Sequence, residues 1–104
     1  MALLTAAEVT DRLAALKGWT HVSKAIRREF VFEGFPEAVL FVSALVPSAE
    51  EADHHPDIDI RYKRVTLTYT THSEGGLTAK DFDGAETADR VALDLPHLTG
   101  FGDG

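Results

Sequence analysis

The sequence predicts an α+β fold: a four-stranded antiparallel sheet with helices packed on one face, in the order α-β-β-α-β-β-α. Three observations carry that expectation. Apolar and polar residues alternate from Ile26 to Glu33 and again from Ile58 to Tyr69, which is the period of half-buried strands. Apolar residues recur at helical spacing over 35–49 and from Phe82 to Leu95. Thr5-Ala6-Ala7-Glu8 has the spacing of a capping box ahead of Val9, Leu13 and Leu16.

Each element follows in chain order. The first helix starts at the Thr5 cap, and Gly18 supplies its stop. In the long strand, Ile26, Arg28, Phe30 and Phe32 share one face, with Arg27, Glu29, Val31 and Glu33 on the other; a shorter strand near Trp19 to Val22 is its expected partner. Gly34-Phe35-Pro36-Glu37 opens a second helix, striped by Ala38, Phe41, Val42, Leu45 and Ala49. Pro47 interrupts that stripe, and because an interior proline costs ~3 kcal/mol or more in a straight helix, a kink or two helical pieces are expected. After Pro56 come two strands, alternating at Ile58, Ile60, Tyr62 and at Val65, Leu67, Tyr69, with a hairpin turn expected at Lys63-Arg64. Thr78 caps a last helix that should reach about Leu95, where Pro96 stops it, and residues 97–104 read as a flexible glycine-rich tail.

Composition bounds the function. At 104 residues one domain spanning 1–104 is expected, burying roughly two-thirds of the surface its unfolded chain exposes. Ten Lys and Arg against 17 Asp and Glu give a net charge of -7, which repels a phosphate backbone and anionic lipid headgroups. Nucleic acid is therefore not expected as a direct ligand, nor a membrane as a partner. With no Cys there is no disulfide, thiolate nucleophile or Cys-ligated metal. Met1 to Leu4 is too short and uncharged for a secretory signal, and no run approaches the ~20 apolar residues of a membrane span, so a soluble, cytoplasmic protein is expected.

The chemistry-bearing residues sit where elements end. His54-His55-Pro56 follows a helix that Pro56 cannot continue, and Thr71-His72 follows a strand and precedes Gly75-Gly76-Leu77-Thr78. Imidazole is the side chain best suited to exchanging protons near neutral pH. Adjacent His54 and His55 cannot easily aim both rings at one ion, so no metal site is expected.

Leu16-Lys17-Gly18-Trp19, Phe30-Val31-Phe32, Glu50-x-x-x-His54-His55-Pro56, Tyr62, Thr71-His72 and Gly76-Leu77-Thr78-x-x-Asp81 together resemble the pterin-4a-carbinolamine dehydratase family. The resemblance covers nearly the whole chain. It implies dehydration of 4a-hydroxytetrahydrobiopterin to quinonoid dihydropterin in tetrahydrobiopterin recycling, with no cofactor and a small pterin as substrate. By the same likeness, His54 is the principal general acid, His72 acts from the opposite side of the ring, His55 mainly holds the pterin, and Asp81 orients a histidinium. Glu50 and Asp53 are expected to tune the imidazoles or meet the polar pterin edge, with backbone groups around Thr70 and Thr71 in support. Two positions depart from the family pattern: Ile58 stands where a Trp is usual in the pterin pocket, and Gly84 stands where a Leu is commoner. The competing expectation is a non-catalytic binding or assembly protein on the same fold, of the coactivator or carboxylase assembly factor type. A sheet covered on one face also implies self-association, as a homodimer or homotetramer.

Overall fold

The computed structural model describes residues 3–99, with side chains described through Leu95. Three helices, α1 (Ala6–Ala14), α2 (Phe35–Ala52) and α3 (Ala79–Thr99), accompany four strands, β1 (Thr20–Val22), β2 (Ala25–Val31), β3 (Asp57–Arg61) and β4 (Arg64–Tyr69). The strands form one antiparallel sheet in the order β1-β2-β4-β3, which is the predicted architecture.

Strand period places the core. Ile26 and Phe30 of β2 and Val65, Leu67 and Tyr69 of β4 are buried toward the helices, where they meet Phe41 and Leu45 of α2 and Phe82, Ala85 and Ala88 of α3. Arg27, Glu29, Thr66, Asp57 and Asp59 occupy the other face by the alternation of the paired strands. The Thr5 capping box forms as expected, with Thr5 N donating to Glu8 Oε1 and Glu8 N to Thr5 Oγ1.

Four boundaries differ from expectation. α1 ends at Ala14, well before Gly18, because successive turns through Leu16 bring the chain round first. At Pro47 the second of the two expected outcomes, two helical pieces, does not occur: the proline forfeits one hydrogen bond, toward the Ser43 carbonyl, and α2 continues on either side of it. α3 likewise passes Pro96 and reaches Thr99, so the expected tail is shorter than 97–104, and its residues 100–104 lie outside the described ones. The hairpin turn is Tyr62-Lys63, since Arg61 pairs with Arg64. Its left-handed position falls on Tyr62 (φ 55°), where neither Gly nor Asn marks the turn in the sequence.

Candidate active site

The end of α2 separates the two adjacent histidines. Asp53 takes the left-handed conformation (φ 51°, ψ 43°) as the C-cap, its N–H donates to the Ala49 and Glu50 carbonyls, and His54 N–H donates to the Ala49 carbonyl at 3.1 Å. Aspartate tolerates this conformation better than most residues. The reversal turns His54 inward, its side chain 11% exposed, and leaves the His55 side chain 53% exposed.

His54 meets a carboxylate that the fold holds completely buried. Asp81 is the third residue of α3, and its Oδ2 accepts the Thr78 N–H at 2.9 Å, one half of a capping box, while Thr78 Oγ1 accepts the Lys80 N–H one position earlier in the first turn. Thr71 Oγ1 also donates to Asp81 Oδ2 at 2.9 Å, which leaves the Thr78 hydroxyl as the donor in the 2.8 Å Thr71–Thr78 contact. The other oxygen, Oδ1, lies 2.6 Å from His54 Nε2. A carboxylate already serving as acceptor to an amide and a hydroxyl fixes the tautomer: Nε2 carries the hydrogen, and Nδ1 is the nitrogen left for exchange. No buried side-chain nitrogen or oxygen among the described residues lacks a partner.

The remaining predicted residues fall around this centre in two groups. Thr71 joins Asp81 by its side chain, while its N–H donates to the Gly76 carbonyl and its own carbonyl accepts from Glu74 and Gly75. His72, the next residue, opens the short 3-10 turn His72–Glu74 and is exposed. The strand end that carries His72 is thereby tied to the carboxylate that binds His54. On the outer side, His55 Nε2 lies 2.5 Å from Glu50 Oε2, and both line a small groove with Pro56 and the exposed Ile58. Thr70 turns its hydroxyl to the Lys24 carbonyl at 2.6 Å, toward the β1–β2 turn.

A cavity of about 320 Å³ lies between α2 and α3, with Leu45, Ala49, His54, Tyr69 and Gly84 in its lining and Lys80 and Asp83 as its charged members. Tyr69 was read in the sequence only as a strand residue. Burial pushes its phenol up to about 12, with the Asp81 and Asp89 carboxylates acting in the same direction, so the ring stays uncharged. Among the described residues no three His, Asp or Glu side chains are grouped to hold a metal ion.

Comparison with known proteins defines the class first. The crystal structure of a transcriptional coactivator/pterin dehydratase from Brucella melitensis superimposes with a TM-score of 0.84 at 39% identity, over 86% of this chain and 98% of that one. A pterin dehydratase-like protein described as a RuBisCO assembly factor of the alpha-carboxysome shares the fold, at a TM-score of 0.60 and 21% identity over 71% of this chain and 86% of that one. The family model for pterin 4 alpha carbinolamine dehydratase matches residues 2–91, and the chain belongs to that family. A Roseiflexus castenholzii protein whose name provisionally assigns it this dehydratase activity is 50% identical over 90 residues, 86% of this chain and 97% of its own length. A Sulfolobus acidocaldarius protein named in the same way is 42% identical, over 81% of this chain and 92% of its own.

Proposed function

We propose that this protein dehydrates 4a-hydroxytetrahydrobiopterin to quinonoid dihydropterin, with His54 as the general acid. The observation that carries the reading is Asp81, one buried carboxylate that binds His54 and also the residue preceding His72. Family membership supports a pterin as the substrate.

The chemistry matches what an Asp81-held imidazole does. Protonated at Nδ1, His54 gives that proton to the 4a-hydroxyl as the C4a–O bond breaks and water leaves. The N5 lone pair forms the C4a=N5 bond, and the N5 proton passes to a base. The reaction is redox-neutral, so no electron carrier enters its balance. Asp81 holds the ring through Nε2, fixing its tautomer and orientation. General acid–base catalysis of this kind supplies typically 10²–10⁴-fold, about 3–5 kcal/mol of barrier. His72 acts on the other C4a epimer, while His55, with Glu50, Asp53, Ile58 and the Thr70-Thr71 segment, binds the pterin. Recycling of tetrahydrobiopterin in the cytoplasm is the setting this implies; no helix among the described residues is long and apolar enough to cross a membrane.

A second reading, a binding or assembly protein, is favoured by exposed apolar side chains: Val39, Leu40 and Val46 of α2 and Ile58 and Ile60 of the edge strand β3, with Val46 and Ile58 lining one groove. The same surface suits the homodimer or homotetramer that belongs to either reading. Stopped-flow turnover of enzymatically generated 4a-hydroxypterin tests the first reading. Accelerated dehydration is expected; no acceleration, with no pterin binding by ultraviolet absorbance up to millimolar concentration, would favour the second.

A further inference from the structure

Gly84 lies inside α3, where glycine costs about 1 kcal/mol relative to alanine. Its surroundings supply a reason for it. A Cβ at this position would stand 2.5 Å from Cε1 of Tyr69 and 2.9 Å from its Cζ, closer than side-chain carbons approach one another. The tyrosine ring thus occupies space that any other residue on that turn of the helix would claim.

That ring reaches His54. The two rings lie nearly parallel, 25° apart with centroids at 6.0 Å, and Trp19 packs against Tyr69 at 5.9 Å. Trp19 is fixed in turn: its Nε1 donates to both oxygens of Asp89, at 3.0 and 3.1 Å, and Asp89 is paired with Arg28 at 2.8 Å. A continuous line of contacts therefore runs from β2 and α3 to the imidazole. A hydrogen bond at Nε2 alone fixes one point of a ring and leaves it free to turn about that bond. A flat neighbour limits the remaining angle, and proton transfer needs the acid held within about 10–20° of its productive orientation.

We propose that Tyr69 is a positioning residue for His54: its ring, admitted against α3 by Gly84 and backed by Trp19, sets the plane of the imidazole whose Nε2 is held by Asp81. Its effect on turnover rests on the dehydratase reading; its effect on the imidazole does not.

The test compares Tyr69→Phe, Tyr69→Leu and the double variant Tyr69→Leu/Gly84→Leu, in which the helix position returns the volume the ring gives up. Two readouts are taken: kcat and KM with 4a-hydroxypterin, and the ¹⁵N-edited NMR signals of the His54 ring. Tyr69→Phe keeps the flat face and should retain kcat within about threefold, while Tyr69→Leu and the double variant should lose about tenfold to a hundredfold in kcat with little change in KM. In both leucine variants the His54 Nε2–H signal should broaden or shift, even where thermal melting shows the double variant to be as stable as the wild type. An unchanged His54 spectrum in Tyr69→Leu overturns the proposal, as does wild-type kcat in the double variant. A wild type without turnover whose His54 signal still depends on Tyr69 supports the positioning and defeats the dehydratase reading alone.

Discussion

His54 and His55 are neighbours in the chain and occupy opposite physical situations. His54 meets a fully buried carboxylate that also accepts bonds from a backbone amide and a hydroxyl, so its partner has no freedom to move away. His55 meets Glu50 at a comparable distance, but both side chains are more than half exposed and water competes for each. A short contact by itself therefore says little. What separates the two pairs is how many other bonds fix the carboxylate, and one left-handed residue, Asp53, decides which histidine receives which.

The largest effect that sharpens this contrast is loss of Asp81. Asp81→Ala leaves the Thr78 N–H, the Thr71 hydroxyl and His54 Nε2 without their shared acceptor and should cost about 3–5 kcal/mol in urea unfolding. A loss below 1 kcal/mol would mean that the carboxylate does not hold these segments together.

Alkaline titration gives an intermediate effect. The phenol of Tyr69 rises from 10.0 to about 12 in the folded protein. Between those two pH values the unfolded chain has released this proton and the native one keeps it, so stability falls as pH rises. The loss attributable to Tyr69 reaches about 2–3 kcal/mol near the upper end. Tyr69→Phe should lack this component, measured as a flatter dependence of unfolding free energy on pH above 10. Parallel curves for the two proteins would place the hydroxyl in water. The smallest effect belongs to the outer pair: Glu50→Ala should change stability by no more than about 1 kcal/mol, because exposed ion pairs contribute little.

Much of this arrangement was legible in the sequence, for identifiable reasons. Period-two alternation located β2 and the β3–β4 pair, and the Thr5–Glu8 and Thr78–Asp81 spacings located two helix starts, because these patterns are local. Boundaries set by single backbone positions were less legible: Tyr62 takes a left-handed turn without the usual residue type, and Pro47 and Pro96 sit within helices that continue past them. In the site, position at the ends of elements brought out the histidines and the family resemblance brought out Asp81, but the unequal burial of His54 and His55 depends on Asp53, whose conformation no composition rule announces. Tyr69 was missed because its contacts with His54, Trp19 and Gly84 join residues far apart in the chain. The one local trace of them was a glycine where a helix would do better without it.

The most direct measurement is stopped-flow dehydration of 4a-hydroxypterin by the wild type, His54→Ala and His55→Ala, each checked for folding by circular dichroism. The Asp81-held imidazole predicts a fall of roughly 10²–10⁴-fold in kcat for His54→Ala and a change mainly in KM for His55→Ala. Wild-type kcat in a folded His54→Ala protein would contradict it.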